Sequence, residues 1–179
     1  FTTGWRHSLT ALKRALNATL PVDIAIRHIE GVNAEFDARR SARSREYCYT
    51  ILNQPIRSPL ERRRCYHHRY PLDVALMRQA AKLLVGEHDF AAFGRSPSEG
   101  STVRKVMALD CQREGGRVLH LEASLCRLKR MVRSVVGGVV AIGEGSRPPG
   151  ALGEILQARE RGRLKRLAPP QGLCLIAVK

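Results

Sequence analysis

Arg133 is the residue that most needs a chemical explanation, because Met131, Val132, Val135 and Val136 surround it in the sequence. Apolar residues at that spacing predict a helix turned into a core, where an unpaired guanidinium costs on the order of several kcal/mol. Either a carboxylate or phosphate faces the charge, or its long stem carries the head back to water. No acidic residue of the chain stands out as its mate. Tyr47 and Tyr49 pose a second question, since a chain that is only 5% aromatic places both on one face of an alternating segment, beside Arg39, Arg40, Arg43 and Arg45. Aromatic plates next to guanidiniums suit unstacked bases and their phosphates. Two tyrosines equally well fill a sheet face. Cys65, His67 and His68 are close together, but no Cys-x-x-Cys or distant matching pair completes four ligands, so no metal is expected. No nucleophile-elbow pattern is present, and Gly143 and Gly145 do not precede a helix in the manner of a phosphate loop.

The background against which these residues act is strongly basic. Of 179 residues, 31 are Lys or Arg and 16 are Asp or Glu, a formal net charge of +15. Such a charge attracts polyanions over long range and makes nucleic acid the leading partner class. Arginine outnumbers lysine 25 to 6, and its planar fork grips phosphate oxygens bidentately and stacks on bases. A G+C-rich genome would favour arginine codons too. The apolar fraction of 44% suits a globular protein, and the longest apolar run, around Val135 to Ile142, is far short of the roughly 20 residues that span a bilayer. Five cysteines without short paired spacing, and no charged-then-apolar leader, point to a reducing cytoplasm. The chain opens on Phe1, so an internal piece of a longer polypeptide is expected.

Mixed α+β elements, mainly antiparallel in the sheet, must position these residues. Trp5, Leu9, Leu12 and Leu16 predict an amphipathic helix over 5–17, stopped by Pro21. Residues 22–29 alternate as a strand, and 45–53 alternate again, with Tyr47, Tyr49 and Ile51 on one face. Residues 53–69, with Arg62, Arg63 and Arg64, suggest a basic surface loop. A helix is expected over 71–85, with Asp73 in its first turn. Two strands, 101–114 and 117–125, flank the Gly115-Gly116 hairpin signal. A nearly apolar helix over 128–142, a short charged helix over 151–161 and a last buried strand over 173–178 complete the order. No repeat or linker divides the chain, so one domain over 1–179 is expected.

Several segments, taken together and in order, closely resemble the tRNA pseudouridine synthase A family. They are Ala15-Leu16-Asn17 with Leu20-Pro21 and Asp23-Ile24, then Ala38-Arg39-Arg40-Ser41-Ala42 with Ser44-Arg45-Glu46-Tyr47, and Gly86-Glu87-His88-Asp89-Phe90. Ser101-Thr102-Val103-Arg104, Met131-Val132-Arg133 with Val136-Gly137, and Ala168-Pro169-Pro170 with Gly172-Leu173 follow. The resemblance runs over essentially the whole chain. It implies a pseudouridine synthase type fold with a basic cleft, a cytoplasmic homodimer, no cofactor, and isomerisation of uridine in the anticodon stem-loop of tRNA.

Residue by residue, the resemblance makes Tyr47 similar to the family's active-site tyrosine, which stacks on the target base and takes part in proton transfer. Arg133 resembles the arginine that pairs with the nucleophilic Asp. The Arg-Thr-Asp type motif that carries this Asp has no match here, and none of Asp23, Asp37, Asp73, Asp89 or Asp110 stands in a matching context. The nucleophile is therefore expected upstream of residue 1, which makes the chain a truncated domain, inactive alone. Arg39, Arg40, Arg43, Arg45 and Arg104 are candidate phosphate contacts, which position RNA without reading sequence. Asp37 and Cys174 stand where family members often carry His and Tyr. Arg127, Lys129 and Arg130 replace largely aromatic or His residues and add charge next to Arg133. The competing reading is a basic RNA-binding module without catalysis.

Overall fold

A computed structural model describes residues 2–38, 40–95, 100–115, 117–119, 130–160, 162–164 and 166–179. The chain forms two compact units, residues 1–41 and 42–179.

The first unit is built on helix α1 (Leu9–Thr19). Ser8 caps it by accepting the Ala11 amide at 3.2 Å, and Leu20, held extended ahead of Pro21, ends it. Trp5, inside the expected helix, therefore lies outside the observed one. The strand expected over 22–29 is absent: Val22 and Ile24 are exposed, and no strand pairs with the segment among the described residues. The Asn17 side chain replaces the missing ladder, donating to the Ile26 carbonyl at 3.0 Å and accepting its amide at 2.7 Å.

The second unit is organised by β1 (Arg45–Asn53), at the predicted bounds. Its first half pairs antiparallel with β7 (Leu173–Val178), matching Tyr47 with Leu175 and Tyr49 with Leu173. Its second half pairs parallel with β2 (Tyr66–His68) and antiparallel with β6 (Arg117–Leu119). β6 pairs antiparallel with β5 (Gln112–Glu114), the pairing that the Gly115-Gly116 signal predicts, although Gly116 itself lies outside the described residues. A second sheet pairs β3 (Gly86–Asp89) antiparallel with β4 (Val103–Val106). The architecture is α+β with mainly antiparallel pairing.

Helices α2 (Val74–Lys82), α3 (Met131–Gly143) and α4 (Ala151–Ala158) complete this unit. Asp73 caps α2 by accepting the Leu76 amide, and its own amide donates to Gly143 at the end of α3. Tyr49, Met77, Leu84, Phe90, Phe93, Met131, Ile142 and Leu152 are fully buried and define the core.

Three expectations are corrected here. Residues 53–69 are not all loop, since β2 lies within them; three residues paired in parallel leave no alternation to detect. The single strand expected over 101–114 is two, because β4 and β5 pair with different partners. β7 is not buried: Leu175, Ile176 and Val178 are about half exposed. The predicted positions 120–125, 128–129 and 161 lie outside the described residues.

Candidate active site

Arg133 occupies the first turn of α3, where the apolar run on either side fixes the helix against the core. Its side chain is half-buried. The Nε–H donates to the Ala168 carbonyl at 2.6 Å, and the Ala168 amide donates to the Arg133 carbonyl at 3.0 Å, so the two residues clasp each other. Among the described residues no carboxylate pairs with Arg133. The partner the sequence left open is thus, on one edge of the guanidinium, a backbone carbonyl.

Tyr49 lies beside this clasp. Its ring is 1% exposed, and its hydroxyl donates to the Pro169 carbonyl at 2.7 Å, one peptide along from the group held by Arg133. Burial pushes its pKa well up, aided by Tyr66 and opposed by the nearby Arg133 cation, so the phenol stays protonated. Tyr49 fills the sheet face and cannot meet a base. Tyr47, two residues back on the same face, is half-buried against the same core and free of hydrogen bonds among the described residues. The alternation of β1 puts the less buried Tyr47 beside Tyr49, and Tyr49 lies close enough to Arg133 to feel its charge.

The remaining arginines are scattered in environment. Arg43 is exposed, its amide donating to the terminal Lys179 carbonyl at 2.7 Å. Arg45 is buried at 9% exposure. Arg104 is half-buried and folds its head back onto the Ser101 and Val103 carbonyls. Arg40 is exposed in the first unit, on a turn organised by Asp37. Arg39, Arg127 and Lys129 lie outside the described residues. Arg130 is exposed at the residue before α3, with φ at 68°. Together with Arg95, Ser134, Phe93, Gly94 and Leu164 it lines an open pocket of about 480 Å³ at the positive end of that helix.

Cys65, His67 and His68 each serve a local partner: the Cys65 thiol donates to the Glu61 carbonyl, and the His67 ring bonds the Gln54 carbonyl at 2.8 Å. His68 is buried beside Glu144, and desolvation lowers its pKa against the pull of that carboxylate. Glu144 takes two 2.6 Å bonds from Arg166, which also donates to the Tyr66 hydroxyl. Sequence reasoning missed this network and the Ala168 and Pro169 carbonyls. The second pair lay within Ala168-Pro169-Pro170, where two prolines fix the backbone path.

The α+β architecture with mainly antiparallel pairing is consistent with a pseudouridine synthase fold. Residues 80–179 match the family model described as tRNA pseudouridine synthase. The chain is 40% identical over 179 residues to tRNA pseudouridine synthase A of Geotalea uraniireducens, covering 99% of this chain and 73% of that protein. It is 39% identical to the protein of the same name from Idiomarina loihiensis, covering 91% and 63%, and 41% identical to that from Chlamydia muridarum, covering 92% and 62%. The chain belongs to the tRNA pseudouridine synthase family. It spans between 62% and 73% of the lengths of these relatives.

Proposed function

We propose that the enzyme carrying this chain isomerises uridine to pseudouridine in the anticodon stem-loop of tRNA, as a cytoplasmic homodimer, with Tyr47 and Arg133 in its active site. The observation that carries the reading is the half-open guanidinium of Arg133: one edge is tied to the Ala168 carbonyl, and no carboxylate among the described residues takes the other. Its place is to hold the nucleophilic Asp, which we assign to chain upstream of Phe1. An adjacent cation favours the ionised carboxylate and keeps the nucleophile competent.

Reaching the glycosidic bond requires the uridine to leave its stack, and a flipped base needs an aromatic platform. Tyr47, half-buried on β1, is the residue proposed to supply it. The Asp assists cleavage of the bond between C1′ of the sugar and N1 of uracil. The freed base turns, C5 bonds to C1′ and gives up its proton, and N1 takes one, so atoms balance without a cofactor. Of the candidate phosphate contacts Arg39, Arg40, Arg43, Arg45 and Arg104, the exposed Arg40 and Arg43 are proposed to serve the RNA backbone, whereas Arg45 is buried and is proposed to have no part in it.

Tritium release from tRNA transcripts labelled at uridine C5 tests this. An extended protein that includes the upstream Asp motif is expected to release tritium, while the 179-residue chain binds tRNA without release. Tyr47→Ala and Arg133→Ala in the extended protein should each lower the rate by about a hundredfold or more, the scale of losing a positioned catalytic group. Tight tRNA binding with no release by either protein would establish the non-catalytic binding module instead.

A further inference from the structure

We propose that Tyr49 is a positioning residue for Arg133, acting through the adjacent carbonyls of Pro169 and Ala168. The inference rests on Arg133 working at the reaction centre and concerns how its charge is aimed. A guanidinium offers two bidentate edges, one pairing Nε with a terminal nitrogen and one pairing the two terminal nitrogens. The 2.6 Å bond from Nε to the Ala168 carbonyl consumes the first. A carboxylate is therefore met end-on, by the terminal nitrogens, and its direction follows the plane that Ala168 sets.

On its N-terminal side Ala168 is held by the bond from its amide to the Arg133 carbonyl, and what fixes its carbonyl side is not local sequence. Pro169 has no N–H, so the peptide after Ala168 cannot be tied down by its own donor. The Tyr49 hydroxyl ties the next peptide instead, donating to the Pro169 carbonyl at 2.7 Å from a ring that is 1% exposed and immobilised in the core, and the Pro169 ring between them passes the constraint back to Ala168. Two glycines let the segment lie this close. A Cβ on Gly172 would stand 2.7 Å from Tyr49 Cζ and 2.8 Å from the Thr50 carbonyl oxygen. One on Gly137 in α3 would stand 2.2 Å from the Arg166 carbonyl oxygen, against which that helix packs. Strand, helix and segment 166–172 thus converge on the two carbonyls, and Tyr49 is the only side chain among the described residues that grips Pro169.

Tyr49→Phe in the extended, active enzyme removes one hydroxyl and keeps the packed ring. Misaiming a reacting group by about 1 Å costs up to about a hundredfold, so kcat should fall between about tenfold and a hundredfold while KM for tRNA holds. The acid limb of the kcat profile should also move to higher pH, because a displaced Arg133 favours the ionised carboxylate less. Gly172→Ala, which pushes the same ring and keeps the hydroxyl, should move the limb the same way and carries the test should Tyr49→Phe fold poorly. An unchanged kcat, or a fall with the acid limb in place, overturns the inference, since a merely structural role scales the whole profile. Arg133→Ala separates the two readings: inactivity there beside an unaltered Tyr49→Phe sinks only the positioning role, whereas full activity of Arg133→Ala sinks the site itself.

Discussion

At the scale of single residues, Tyr49 shows how burial converts an ordinary phenol into a fixed donor. Its pKa lies well above the ordinary 10.0 because the phenolate would be desolvated, and the nearby Arg133 cation only partly offsets this. The folded state therefore keeps a proton that the unfolded chain loses above pH 10. The associated stability is complete below that value and declines as pH rises through the folded pKa, by about 1.4 kcal/mol per unit. Urea unfolding at pH 9 and pH 11 should thus show a steeper alkaline loss for the wild-type chain than for Tyr49→Phe, with Tyr47, Tyr66 and Tyr70 common to both. Equal losses would mean that Tyr49 ionises freely in the folded protein. Part of this was legible in the sequence. The alternation of β1 placed Tyr47 and Tyr49 on one face, but their different exposure depends on Leu173, Gly172 and Pro169 packing over Tyr49 from more than a hundred residues away. Arg133 was legible as a charge in an apolar helix, whereas its carbonyl partner was not, because backbone acceptors leave no mark on residue type.

At the scale of elements, α3 reads clearly because a long apolar run between charged ends has few alternatives, and β1 reads at its true bounds because alternation over nine residues is unambiguous. The antiparallel pairing of β5 with β6 follows from turn chemistry alone, read as the Gly115-Gly116 signal in the sequence. Residues 22–29 carry a similar alternation and still form no strand, since a strand exists only where another offers its ladder, and Asn17 satisfies Ile26 in its place. β2 failed for the opposite reason, being too short to show a period. The paired glycines of α3 mark close packing, yet they differ in what they face. A Cβ on Gly137 meets backbone, the Arg166 carbonyl oxygen at 2.2 Å, whereas one on Gly138 meets Leu152 Cδ2 at 2.6 Å and Leu164 Cδ2 at 3.0 Å, the ends of side chains that can turn. Overpacking costs typically about 1–3 kcal/mol. Gly137→Ala should fall at or above the top of that range in denaturant unfolding and Gly138→Ala near its foot, partly offset by alanine's better helix propensity. A larger loss for Gly138→Ala would place the tight contact on the wrong face of the helix.

At the scale of the whole molecule, the net charge of +15 is the property on which the proposed RNA contact first depends. Each phosphate contact releases condensed counterions, so the logarithm of the tRNA association constant should fall linearly with the logarithm of salt concentration. Exposure sorts the arginines within that slope. Arg40 and Arg43 are exposed, and replacing either by Ala should reduce the slope by about 1 and weaken binding of any RNA to the same degree. Arg45 is 9% exposed at the foot of β1, in register with Val178 of β7, so little of it is open to a phosphate. Arg45→Ala should therefore leave the salt slope unchanged and lower stability instead, because the packing of its buried stem is lost. The measurement is tRNA binding by fluorescence anisotropy across salt concentrations, paired with thermal unfolding of each variant. A reduced slope for Arg45→Ala, with unaltered unfolding, would put that guanidinium on the RNA and give the buried strand end a direct part in holding the substrate.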